Sequence, residues 1–80
     1  MRLDKYLKVS RLIKRRTVAN EACDAERVSV NGKPAKPSKE LNIGDTITIR
    51  FGSKYVTMRV LALKETVKKD EAGLMYEIVE

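Results

Sequence analysis

The sequence predicts an α+β fold, with two N-terminal helices packed on a small, curled antiparallel sheet. Three observations predict it. Apolar residues recur at helical spacing up to residue 25 and at strand spacing from residue 27. Asn31-Gly32, Gly44-Asp45 and Gly52-Ser53 punctuate the second part as turns. A chain of 80 residues, 42% apolar and 35% charged, suits one domain with a modest core, so 1–80 is read as a single unit.

The first helix is predicted over Leu3 to Val9. Leu3, Tyr6, Leu7 and Ser10 share one helical face, and Lys5 and Lys8 fall on the other. Asp4 sits in the first turn, where a carboxylate suits the helix dipole. The connecting segment, 10–14, carries Leu12 and Ile13 as plugs for the core. A second helix is predicted over Arg15 to Ala25, with Val18, Ala19, Ala22 and Cys23 as its inner stripe. Cys23 reads as a small buried apolar residue.

Beyond the helices, Arg27 to Val30 alternates and ends at the hairpin signal Asn31-Gly32. Lys33 to Lys39, with two prolines and three lysines, reads as extended and irregular. Thr46 to Phe51 alternates with Ile47, Ile49 and Phe51 inward. Tyr55 to Leu63 follows, with Val56, Met58, Val60 and Ala62 inward. Residues 64–73 are polar and form a loop or a short helical turn, and Leu74 to Val79 forms a last strand.

Charge is distributed unevenly. The net charge is +6, and residues 1–16 hold seven basic groups (Arg2, Lys5, Lys8, Arg11, Lys14, Arg15 and Arg16) against the single acid Asp4. The rest of the chain holds ten groups of each sign, so the whole excess sits at the N-terminal end. Such a focused field attracts a polyanion. A second strip, Arg27, Lys33, Lys36 and Lys39, contains no acid, and if the Asn31-Gly32 turn folds it back beside the second helix, the two strips merge into one surface. Arg11, Lys14, Arg15 and Arg16 surround the start of that helix, where free N–H groups favour phosphate. Arginine grips phosphate with a planar fork, so Arg16, Arg15, Arg11 and Arg2 rank above the lysines.

Other functions are excluded or disfavoured by what the chain lacks. One cysteine and no histidine leave no zinc site of nitrogen and sulfur ligands and no histidine-activated nucleophile. No metal, no cofactor and no enzymatic activity are expected. The aromatics Tyr6, Phe51, Tyr55 and Tyr76 form no stacking cluster of the RNA-recognition-motif kind. A K-homology GXXG loop and a P-loop are both missing. No apolar run approaches the roughly 20 residues of a membrane span, and the charged N-terminus does not read as a signal peptide. Together with the lone cysteine, this predicts a reducing, cytoplasmic setting and no membrane. A shape-and-charge binder of structured RNA remains. A basic protein-interaction module, a DNA binder and an RNA-modifying accessory fragment are the alternatives.

The order of features resembles the S4 RNA-binding domain. The matching run is Met1-Arg2-Leu3-Asp4-Lys5, Arg16, Ala19, Val28-Ser29-Val30-Asn31-Gly32-Lys33, Lys36-Pro37-Ser38-Lys39 and Gly44-Asp45, within residues 1–51; the strands of 55–80 lie outside it. Leu7 to Arg16 is similar to the short, stand-alone S4 group that contains heat shock protein 15 and the RqcP ribosome quality control proteins, RqcP above all. That resemblance implies an S4-like (alpha-L) fold and binding to a large ribosomal subunit that carries peptidyl-tRNA, through both rRNA and tRNA. It further implies a partnership, as a monomer, with an RqcH-like factor that tails stalled chains with alanine. Heat-shock-type rescue without tailing, or general RNA binding, is the alternative within the same family. Arg2 and Arg16 occupy the arginine positions of the family motif. The chain departs from it at Glu26, where the family has glycine, so a strained helix end is expected there.

Overall fold

The structure, a computed structural model, describes residues 1–79; Glu80, the end of the predicted domain range, lies outside them. Helix α1 spans Leu3–Val9, as its periodicity predicts, and buries Leu3, Tyr6 and Leu7 completely. Seven residues make a helix of about 10 Å, too short to persist alone, and its first N–H groups find acceptors elsewhere in the chain. The Leu3 N–H donates to the Lys39 carbonyl at 2.8 Å and that of Asp4 to Pro37 at 3.1 Å. The Lys5 N–H donates to the Asp4 carboxylate at 2.8 Å.

Helix α2 spans Arg16–Asp24, one residue shorter at each end than predicted, with Arg15 as an extended N-cap. Ala19, Ala22 and Cys23 are buried and let α1 and α2 approach closely. Val18 is 44% exposed, which corrects the predicted stripe: it stands about a quarter turn from the centre of the other three, at the margin of a narrow contact.

Both helices end on a non-glycine residue in the left-handed region, Arg11 (φ 63°) and Glu26 (φ 59°). At α2 the Arg27 N–H donates to the Ala22 carbonyl and the Glu26 N–H to that of Cys23, the pair of bonds that defines a Schellman cap. Glu26 therefore holds the position that glycine fills without steric cost.

The sheet has five antiparallel strands in the order β2-β1-β3-β4-β5: β1 Val28–Val30, β2 Lys33–Pro34, β3 Thr46–Phe51, β4 Lys54–Val60 and β5 Tyr76–Val79. Asn31 and Gly32 both have positive φ, as a type I′ turn requires, and join β1 to β2. Lys33–Pro34 thus pairs briefly within the segment predicted as irregular. Val28, Val30, Ile47, Ile49, Met58 and Val60 bury their alternating side chains against α1, Leu41 and Met75. Ile13 joins this core and Leu12 packs partly against it.

Three strand predictions are corrected. Phe51 is 47% exposed instead of inward, because the buried part of β3 ends at Ile49 and the β3–β4 hairpin runs on beyond the core. The fourth strand ends at Val60: the next two N–H groups, of Leu61 and Ala62, both turn to the Met75 carbonyl, and Ala62 is only half-buried. Leu74 closes a 3-10 helix, Lys69–Leu74, so the last strand starts at Tyr76.

Replacing Glu26 by glycine removes the left-handed strain while adding freedom to the unfolded chain, for a net gain of about 0.5–1 kcal/mol. Thermal unfolding of E26G is expected to move up by about 2–8 °C for a chain of this size; an unchanged or lower midpoint would show that the cap is unstrained.

Candidate nucleic-acid interface

The Asp4 side chain, only 2% exposed, lies where the starts of α1 and α2 meet. Two arginines grip it. Arg2 approaches with Nε to Oδ1 at 3.2 Å and Nη2 to Oδ2 at 3.3 Å. Arg16 approaches with Nη2 to Oδ1 at 3.3 Å and Nε to Oδ2 at 3.2 Å. Asn20 Nδ2, one turn along α2 from Arg16, donates to Oδ2 at 3.2 Å and to the Arg16 carbonyl at 2.8 Å. Burial alone would raise the pKa of this carboxyl. The hydrogen bond from Arg16, those from the Lys5 N–H and Asn20, and the Arg16 charge outweigh it and hold the group below its ordinary value.

Both arginine side chains remain about half exposed, at 48% and 46%. Each uses Nε and one Nη on Asp4, which leaves the Nη1 edge of the fork for an outside acceptor. The pair carries two positive charges against one negative, so the cluster keeps a net +1 that is fixed in place.

The lysine strip reaches this cluster by backbone pairing. Residues 37–41 run along 1–4: besides the two bonds to the start of α1, Arg2 bridges Glu40, and the Leu41 N–H donates to the Met1 carbonyl at 2.9 Å. Lys33, Lys36 and Lys39 line one shallow hollow with Val30, Asn31, Pro34, Ala35 and Ser38. The strip therefore folds back beside the start of α1, where Arg16 and Asn20 of α2 also meet Asp4.

At the start of α2, Arg15 makes no side-chain cap. The Ala19 N–H is the first to bond within the helix, and no acceptor among the described residues meets the N–H groups of Arg16, Thr17 and Val18. Here the start of a nine-residue helix is open to an anion, flanked by Arg15 and Arg16.

The other predicted residues lie elsewhere. Lys8, Arg11 and Lys14 line one hollow at the far end of α1, where Lys69 joins them, and Lys14 also directly precedes Arg15, the N-cap of α2. Lys5 is ion-paired with Glu65, whose carboxyl that hydrogen bond and charge lower. Arg27 is exposed at the foot of α2. Asp4 and Lys69 are the components that sequence reasoning missed. Asp4 carried a signal, as a lone acid among seven bases. Lys69 carried none.

Among the described residues no group of three or more His, Cys, Asp or Glu side chains could hold a metal ion. Cys23 is buried and its thiol is pushed up to about 11 by burial and then by Asp4 and Asp24, so it stays protonated at neutral pH. No helix of the described residues is long and apolar enough to cross a membrane.

Fold and site together define a small α+β module that holds an arginine pair on a buried carboxylate beside a lysine strip. Residues 1–47 match the S4 domain family. Over its full length the chain is 58% identical to the RQC P-site tRNA stabilizing factor of Bacillus subtilis, covering 93% of that protein. It is 56% identical, over 99% of its length, to the protein of the same name from Streptococcus pneumoniae, covering 90% of it. Among solved structures, the trimeric structure of Vibrio cholerae heat shock protein 15 superposes with a TM-score of 0.92 at 34% identity, covering 99% of this chain and 81% of that one. The chain belongs to the S4 domain family, in the branch that contains the RQC P-site tRNA stabilizing factors and heat shock protein 15.

Replacing Asp4 by asparagine removes the charge that both forks hold. The loss is expected to be about 2 kcal/mol, moderated because the arginines are half exposed and water can take up their donors. The folded carboxyl titrates below the unfolded one, so its contribution is complete above the ordinary aspartate value of about 3.9 and is lost as pH falls through the folded value. Denaturant unfolding of wild type and D4N at several pH values should show a constant gap near neutrality that closes in acid; a gap independent of pH would place its origin elsewhere.

Proposed function

We propose that this protein binds RNA on the large ribosomal subunit and acts in ribosome-associated quality control of stalled nascent chains. The observation that carries this reading is the arginine pair on Asp4, set beside the open start of α2 and adjoining the lysine strip. It offers fixed forks, free N–H groups and mobile point charges to one polyanion, and the acid paired alongside Arg2, Glu40, is met by the N-terminal amine at 3.0 Å. The names of the relatives supply the setting, a peptidyl-site tRNA on a ribosome under quality control.

In this reading the domain, 1–80, works as a single copy in the cytoplasm and without catalysis. Arg2, Arg16 and Arg15 take backbone phosphates of rRNA or of the peptidyl-tRNA. Lys33, Lys36, Lys39 and Arg27 follow the same backbone, and Lys5, Lys8, Arg11 and Lys14 extend the surface along α1. An RqcH-like factor uses the complex to add alanine to the stalled chain.

Sucrose-gradient sedimentation of the tagged protein tests this, with tRNA recovered from its fractions. The wild type is expected to travel with large subunits that carry peptidyl-tRNA, and a protein that stays at the top would overturn the ribosomal assignment. Substituting alanine for Arg2 and Arg16 should abolish the association. Because that change also leaves Asp4 buried without its counter-charges, it is paired with Lys33→Ala/Lys36→Ala/Lys39→Ala, which spares Asp4 and should weaken association at least tenfold, on the order of one charge-assisted bond. Retention of both variants on the subunit would exclude this surface as the contact.

A further inference from the structure

We propose that Lys69 completes a second phosphate seat with Lys8, Arg11 and Lys14, one that takes a backbone phosphate of bound RNA. The proposal rests on the RNA-binding reading above and adds to it a contact from the C-terminal half of the chain.

These four side chains line one hollow at the far end of α1 from Arg2. Every residue of its lining is basic, and none of the four takes part in an ion pair among the described residues. Four cations drawn together without a counter-ion repel one another, and mobile surface side chains ordinarily spread to avoid this. Here the backbone brings them together. Arg11, in the left-handed conformation, ends α1 and reverses the chain, so that Lys14 returns towards Lys8.

Lys69 comes from a distant part of the chain, and its segment is anchored on both sides. Val67 packs against the core; Ala72 and Met75 are buried; and the Met75 carbonyl accepts a 2.6 Å hydrogen bond from the Tyr6 hydroxyl on α1. Asp70, next to Lys69 in the sequence, forms no ion pair with any of the four, and two further acids are engaged elsewhere. Glu65 holds Lys5, and the Glu71 carboxylate accepts from the Lys68 N–H at 3.4 Å. A hollow lined by four basic side chains, assembled from two anchored segments, fits the anionic non-bridging oxygens of a backbone phosphate better than it fits an apolar or cationic partner.

The test is binding of the full chain to purified large ribosomal subunits over a salt series, with Lys69→Ala, Lys69→Arg and Lys64→Ala beside the wild type. Lys69 and Lys64 are both exposed, so thermal unfolding should be unchanged in all three. K69A is expected to lose about tenfold in affinity and to reduce the log–log salt slope by about 0.7–0.9, the share of one neutralised phosphate. K69R should keep the wild-type slope, as should K64A, whose lysine lies outside the seat. A K69A slope and affinity equal to wild type, with wild-type binding still steeply salt-dependent, would overturn this seat and leave the proposed function standing. A flat slope for the wild type itself would remove both.

Discussion

The buried carboxylate of Asp4 is the constraint around which the basic face is organised. A lone carboxylate out of water would be costly, and this one is tolerated because N–H groups from Arg2, Lys5, Arg16 and Asn20 all converge on it. Those donors come from the entry to α1, from α1 itself and from the first turns of α2. The charge cluster therefore fixes the relative position of two helix starts that, with seven and nine residues, have little stability of their own. As a buried ion pair it adds modestly to net stability, and what it fixes is geometry. An arginine already held in one rotamer loses less freedom when it meets a phosphate, an advantage of about 0.5–1.5 kcal/mol for each side chain that need not be ordered on binding.

The two helix starts are treated in opposite ways. At α1 the orphan N–H groups are satisfied within the protein, by the carbonyls of Lys39 and Pro37 and by Asp4. That pairing draws residues 37–41 alongside 1–4 and carries Lys36 and Lys39 up to the arginine cluster. At α2 the first N–H groups have no such partner, and the N-cap residue is an arginine, which cannot accept their hydrogen bonds. A capping serine or aspartate there would strengthen the helix and close the one helix start available to an anion. Local helix stability and an open anion position are alternatives at this site, and the sequence has the second.

The periodic parts of this architecture were legible in the sequence and the contact-dependent parts were not. Leu3–Val9 and Thr46–Phe51 match their predicted bounds because alternation and helical spacing are properties of consecutive residues. The same holds for the type I′ turn at Asn31-Gly32, where local backbone chemistry decides; the left-handed Glu26 was expected only from the family resemblance. Phe51 and Val18 came out exposed because periodicity names a face without saying how far along it the opposing layer extends. The basic residues were visible, but their grouping was not. Asp4 reads as a dipole-facing acid until Arg16, twelve residues on, is brought against it. Lys69 sits in an aperiodic polar stretch whose place beside α1 depends on the distant Tyr6–Met75 bond.

The two left-handed residues show how strain and charge are weighed at the helix ends. Arg11 and Glu26 occupy equivalent positions, each one residue beyond a helix C-cap, and each bears the steric penalty that glycine would avoid. At Arg11 the residue that bears the strain also contributes a cation to the hollow shared with Lys8 and Lys14, so glycine there would relax the backbone and remove part of the positive field. At Glu26 the side chain is an exposed acid next to Arg27, and glycine would relax the backbone while also removing a negative charge from the edge of the basic face. The same backbone geometry thus opposes stability to charge at one helix end and aligns them at the other.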